Sequence, residues 1–134
     1  INLAKTKAKK LKIEAEFIVS EINKLPFQDN FFDSAISIAA IHCLETPKKR
    51  ENSVKELHRV LKPKSLVLIS VWNKDSPRFK KKNKNIFVNW RDKGKRFYYL
   101  YEEKEIHNLF KKTGFKIIKK IPHSANIMFI AKKN

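Results

Sequence analysis

The chain has 134 residues, and its 42% hydrophobic content suits a globular domain with room for a sizeable core rather than a disordered segment. A single cysteine, Cys43, excludes an internal disulfide framework and a cysteine zinc cluster, and the sequence has no long apolar run of membrane-spanning length. Thirty-one Lys and Arg against thirteen Asp and Glu give a net charge of +18, a field that attracts polyanions, with nucleic acid the foremost class and a lysine-biased composition the bland alternative.

In chain order, "LAKTKAKKLK" sets Ala4, Ala8 and Leu11 at helical spacing among lysines. No apolar stretch follows, so this opening does not read as a secretory signal, and a reducing, cytoplasmic setting is the simple expectation. "AEFIVS", residues 15–20, reads as a buried strand, and "INKLPFQDNFFD" as a turn-rich connection broken at Pro26 and Asp29-Asn30. "SAISIAAI", 34–41, is apolar on both faces, as in a central parallel strand. Thr46-Pro47 opens a helix with threonine as N-cap and proline at the first helical position, carrying Val54, Leu57 and Leu61 on its inner stripe. "LVLISVW", 66–72, is a third strand.

Residues 73–96 form a long basic connection with aromatics set into it, a candidate substrate loop. A helix from about Glu102 to Lys112 stops at Gly114, and "KIIKKIP" and "NIMFIAKK" make an antiparallel pair. This order predicts an α/β fold with a mostly parallel sheet and a final antiparallel hairpin, and ligands are expected beyond the carboxyl ends of its strands. Those ends are Ser20-Glu21, Ala39 to His42, and Trp72-Asn73. His58, His107 and His123 form no metal-ligand set and read as structural.

"FIVSEINKLPFQDNFFDSAISIAAIHCL" and "ELHRVLKPKSLVLISVW" together resemble the second half of a class I S-adenosylmethionine-dependent methyltransferase. "ISIAAIHCL", "SVW", "NIFVNW" and "KRFYYLYEEKEI" narrow the resemblance to the tRNA wobble-uridine methyltransferases that esterify a 5-carboxymethyl group. The resemblance implies S-adenosylmethionine as cofactor and tRNA as partner. It places Glu21, Ile22, Ile38 and Ala39 at the cofactor, His42 and Arg96 in catalysis with His42 at the mouth of the site, and Trp72, Trp90, Arg96 and Phe97 at the substrate. A guanidinium at Arg96 would pair with a carboxymethyl group, and the loop's cations and aromatics suit an unpaired anticodon base and its phosphates.

The resemblance also defines departures. The glycine-rich cofactor loop is absent, with only Gly94 and Gly114 in the chain, and Lys64-Ser65 stands where Gly-Gly is common. The expectation is therefore one partial domain, residues 1–134, lacking the glycine-rich N-terminal half of a Rossmann-like sheet. It would be competent only with that half, supplied separately or by a partner. A small zinc-containing activator protein would pair at the Ala15–Ser20 edge. A class I methyltransferase with another RNA or small-molecule substrate, and a non-catalytic basic RNA-binding or assembly subunit, remain alternatives.

Overall fold

The computed structural model describes residues 1–134. Helix α1, Asn2–Lys10, is followed by strand β1, Phe32–Ile38, and a 3-10 turn at Ile41–Cys43. Helix α2 (Pro47–Val60) leads into β2 (Leu61–Trp72), then β3 (Asn85–Asn89), β4 (Lys95–Tyr99), α3 (Glu103–Lys112), β5 (Phe115–Ile121) and β6 (Asn126–Lys133). The main sheet has the order β1-β2-β6-β5, while β3 and β4 form a separate ribbon. Its β1–β2 ladder is parallel, and the β2–β6 and β5–β6 ladders are antiparallel.

Period-two alternation builds the core. Val67, Ile69 and Val71 of β2 and Ile127, Phe129 and Ala131 of β6 point to one face, where Val54 of α2 and Ile106 and Phe110 of α3 cover them. Lys49 donates its backbone N–H to the Thr46 hydroxyl at 3.2 Å, which caps α2 as its Thr-Pro start predicts. Gly114, at φ +96°, ends α3 in the left-handed region. None of the helices is long and apolar enough to cross a membrane.

Local expectations change in four places. Residues 15–20 form no strand: a strand needs hydrogen-bonding neighbours, and none of the chain's ladders reaches this segment, where Val19 is 82% exposed. The edge expected to receive an activator protein is therefore an unpaired segment. β1 starts earlier and ends at Ile38, because Ala39 makes a last bond to β2 and then turns left-handed at φ +54°. β2 begins at Leu61, directly after α2, with Lys64 left-handed at φ +66° inside it. Finally, the connection 73–96 is not irregular throughout, since β3 and β4 pair within and beyond it around a turn containing Gly94.

β1 pairs only with β2, which leaves its outer edge free and its Ile36 side chain 73% exposed. An apolar open edge is a place where another strand can add.

Candidate active site at the carboxyl ends of the first two strands

The left-handed turn at Ala39 organises this end of the sheet. Its N–H donates to the Ser70 carbonyl at 3.0 Å, and the Cys43 N–H donates to Ala40 at 3.0 Å. The chain thereby folds back in the 3-10 turn, sending His42 inward and leaving Cys43 exposed.

His42 is fully buried. Its Nδ1 accepts the backbone N–H of Trp72 at 3.2 Å, so the ring proton lies on Nε2, which has no protein partner. Burial lowers its pKa to about 4, keeping it neutral in ordinary buffer. The imidazole stacks on Trp72 at 5.0 Å and tilts against Tyr98 at 5.6 Å, and Trp72 also stacks on Tyr98 at 4.3 Å and Phe79 at 5.0 Å. Arg78 lies 5.3 Å above the Trp72 ring. His42 is thus behind the surface rather than at the mouth of the site, because the aromatic stack encloses it. In this arrangement it holds the end of β2, and Trp72 is the platform it holds.

Arg96 sits on the ribbon, exposed and without an ion pair, with its guanidinium 4.3 Å from the centre of the Trp90 ring. Partial desolvation of the sulfur raises the Cys43 thiol pKa, and the nearby Arg96 guanidinium opposes that rise. Cys43 instead donates its thiol to the Ala39 carbonyl at 3.3 Å, within the same turn. β4 packs against the 3-10 turn, with Tyr98 on His42, which sets the ribbon that bears Arg96 beside the carboxyl end of β1. Phe97 packs edge-on against Phe87 at 5.7 Å, and Phe87 and Trp90 are exposed.

Glu21 and Ile22 reach the same end from the other side. They line a hollow of about 380 Å³ with Ala40, Cys43 and Leu44. Ile22 and Ile38 share a second, largely apolar hollow of about 310 Å³ with Phe32, Ala35 and Leu57. Ala39 contributes its backbone turn and lines neither hollow. Glu21 stands on a tight turn, bridged to Lys24, and not at the end of a paired strand. A carboxylate beside a small apolar hollow fits the adenine end of S-adenosylmethionine: Glu21 could accept from the amino group, with Ile22 and Ala40 against the ring.

The structure thus gathers Glu21, Ile22, Ile38 and Arg96 around the end of β1, and separates His42 and Trp72 into the stack behind it. Sequence reasoning set Arg78 and Phe79 in the basic aromatic loop without joining them to Trp72, and it did not single out Tyr98. The alternation in "KRFYY" would have pointed Tyr98 to the same side as Arg96, but only the fold brings Phe79 against Trp72. It also missed Arg59, whose guanidinium donates to the carbonyls of Phe27 at 2.7 Å and Leu25 at 3.1 Å. Glu56 accepts from Arg59 at 2.8 Å and from the Leu25 N–H at 2.8 Å, so the end of α2 clamps the segment that presents Ile22.

A Rossmann-like sheet, with one hollow beyond the carboxyl end of its first parallel strand and another running along that strand, has the architecture of the nucleotide-cofactor α/β proteins. A "Methyltransferase domain" family description matches residues 1–69, and the chain belongs to that family. Over 57 residues it is 46% identical to a tRNA (carboxymethyluridine(34)-5-O)-methyltransferase of Arabidopsis thaliana, covering 42% of this chain and 14% of that protein. Over 108 residues it is 34% identical to a protein named as a methyltransferase in Encephalitozoon cuniculi, covering 73% of this chain and 51% of that one. The chain therefore spans about half the length of one of these relatives and much less of the other. Its fold superposes on a SAM-dependent methyltransferase of Methanosarcina mazei with a TM-score of 0.81 at 23% identity, covering 99% of this chain and 76% of that structure.

Proposed function

We propose that the chain is the substrate-facing part of an S-adenosylmethionine-dependent methyltransferase acting on tRNA, which esterifies a 5-carboxymethyl group on the wobble uridine. The observation that carries this reading is the position of Arg96: exposed, unpaired by any carboxylate, braced on Trp90 and close to Cys43 at the end of β1. A planar guanidinium in that place suits bidentate capture of a carboxylate. Trp90, Phe87 and Phe97 offer stacking surface for unpaired bases, and Lys80, Lys81, Lys82, Arg91, Lys93 and Lys95 offer charge for phosphates. The name of the Arabidopsis relative supports the same substrate.

The chemistry asks little of a base. A carboxylate is already ionised at neutral pH, so the acceptor needs orientation and a matching charge rather than deprotonation. Bound S-adenosylmethionine would supply an electrophilic methyl group. Arg96 holds the acceptor carboxylate, Trp72 and the rings around it wall the site, and His42, buried and neutral, fixes the Trp72 backbone. Glu21, Ile22, Ile38 and Ala39 would hold the adenine end. A glycine-rich segment, from the same polypeptide or a partner, would add beside the open edge of β1 and complete the cofactor site. A strand-adding partner, such as a small zinc-containing activator, would satisfy the unpaired groups of residues 15–20.

The test is transfer of labelled methyl to undermodified tRNA by the chain alone and with a glycine-rich half supplied. Label that appears only with both halves and leaves on mild alkaline ester cleavage is the expected result. No label in either mixture, with tRNA still retained by the chain, overturns the enzyme reading in favour of a basic RNA-binding subunit.

A further inference from the structure

Away from these residues, α2 and α3 diverge to form a cleft of about 620 Å³, walled by Arg50 on one side and by Tyr99, Tyr101 and Lys112 on the other. Two groups in it stand out: Arg50 has no carboxylate partner, and the Tyr101 hydroxyl has no hydrogen-bond partner. Arg50 is only 6% exposed, yet it makes no ion pair. Its Nη1 donates to the carbonyls of Leu44 at 2.8 Å and Glu45 at 3.0 Å, and its guanidinium lies 3.9 Å from the centre of the Tyr99 ring. Tyr101 is 2% exposed, and its hydroxyl has no hydrogen-bond partner.

Both acids of the cleft are already engaged. Glu51 pairs with Lys55, and Glu105 accepts from the Tyr99 hydroxyl and from Lys84. Tyr101 lines the cleft together with Arg50, Tyr99 and Glu105, and burial raises the pKa of its hydroxyl, so it stays a donor. If this position needed only apolar filling, phenylalanine would do so without a stranded hydroxyl. What the cleft presents is a buried phenol donor, a buried guanidinium without a counter-ion and the unpaired ammonium of Lys112. That donor set matches an anion and repels a cation.

We propose that the cleft between α2 and α3 binds a small oxyanion, a phosphate or carboxylate group, through Arg50 and the Tyr101 hydroxyl, with Lys112 at its rim. The site shares no lining residue with the two hollows at β1 or with the Arg96 surface. Because Arg50 also holds the carbonyls of Leu44 and Glu45, an ion there would steady the turn that follows His42.

Surface lysines bind phosphate weakly everywhere on so basic a chain, so the test must be specific to the cleft. The full chain is titrated with inorganic phosphate, and separately with acetate, at constant ionic strength made up with chloride, and binding is read by calorimetry. Saturable binding of one of these ions is expected, with phosphate the tighter for a phosphate group and acetate for a carboxylate. Tyr101→Phe should weaken it about tenfold, the loss of one charge-assisted hydrogen bond, while raising the melting temperature of the ligand-free chain. Lys112→Gln, an exposed change, should weaken it severalfold with the fold unaltered. Indistinguishable isotherms for the wild type and Tyr101→Phe, or no saturable binding of either ion, would overturn the proposal.

Discussion

The buried imidazole of His42 accepts the backbone N–H of Trp72, tying the turn after β1 to the last residue of β2. That bond needs an unprotonated Nδ1, and burial already disfavours the charged ring, which accounts for a pKa near 4 against the usual 6.5. In the unfolded chain the ring takes up a proton near its usual pKa, and in the folded chain only near 4. The unfolded state therefore binds more protons between these values, and stability falls as pH drops through that window. The stabilisation is complete above pH 6.5, and its loss towards pH 4 amounts to about 3 kcal/mol at 1.36 kcal/mol per unit. Urea melts at stepped pH should show this fall. His42→Asn, which keeps an acceptor for Trp72, should flatten most of it, while His58 and His107, lowered in the same direction, leave a smaller slope. An unchanged profile in the variant would assign the slope elsewhere.

Lys64 sits at φ +66° within β2. A left-handed lysine costs about 1–2 kcal/mol, and glycine removes that strain while adding freedom to the unfolded chain. Lys64→Gly should therefore stabilise the chain by a net ~0.5–1 kcal/mol, read as a higher denaturation midpoint at constant slope.

Gly114 is the opposite case. At φ +96° it is strained for any other residue, and an added Cβ would lie 2.8 Å from His58 Nε2. His58 packs edge-on against Phe115, so it cannot give way without disturbing the core. Gly114→Ala should cost about 2–3 kcal/mol by thermal melting, combining left-handed strain with overpacking. Pairing it with His58→Ala should recover the overpacking share and leave the strain.

The Arg59 clamp gives a fourth expectation. Arg59→Ala removes bonds to the carbonyls of Phe27 and Leu25 and strands Glu56 beside the Leu25 N–H. A loss of roughly 2–4 kcal/mol should follow, from hydrogen bonds of a charged donor. Amide exchange should rise first in residues 22–31, because α2 itself keeps its cap and core contacts.

Arg96 and Trp90 test the substrate surface. Both are exposed, so Arg96→Ala and Trp90→Ala should leave the unfolding free energy within about 0.5 kcal/mol of wild type. Arg96→Ala should abolish ester formation in the reconstituted mixture, and Arg96→Lys should restore little of it, because a point charge does not replace the bidentate fork. Trp90→Ala should weaken tRNA retention by about 1–3 kcal/mol, the range for one stacked base.

Much of this molecule was legible in one dimension. The Thr-Pro start of α2, the Gly114 stop of α3 and the antiparallel end of the sheet follow from local rules about caps, positive φ and alternation. The family words in "LPFQDNFFDSAISIAAIHCL" and "RVLKPKS" carry the methyltransferase domain in the sequence itself. His58 and His107 pack on Phe115 and Phe129, and His123 accepts from the N–H groups of its own turn.

What the sequence could not decide depends on neighbours distant along the chain. "AEFIVS" has the composition of a strand, but a strand exists only where a ladder satisfies its backbone, and here no partner reaches it. His42 looked like a group at the mouth of a site, and tertiary packing placed Trp72 and Tyr98 against it. Tyr101 and Arg50 lie 51 residues apart, and only the packing of α2 beside α3 brings them to one cleft. Pattern fixes which side of an element a residue occupies. Only the assembled sheet and helices fix what lies on that side, and with it the charge, solvation and partners that decide chemistry.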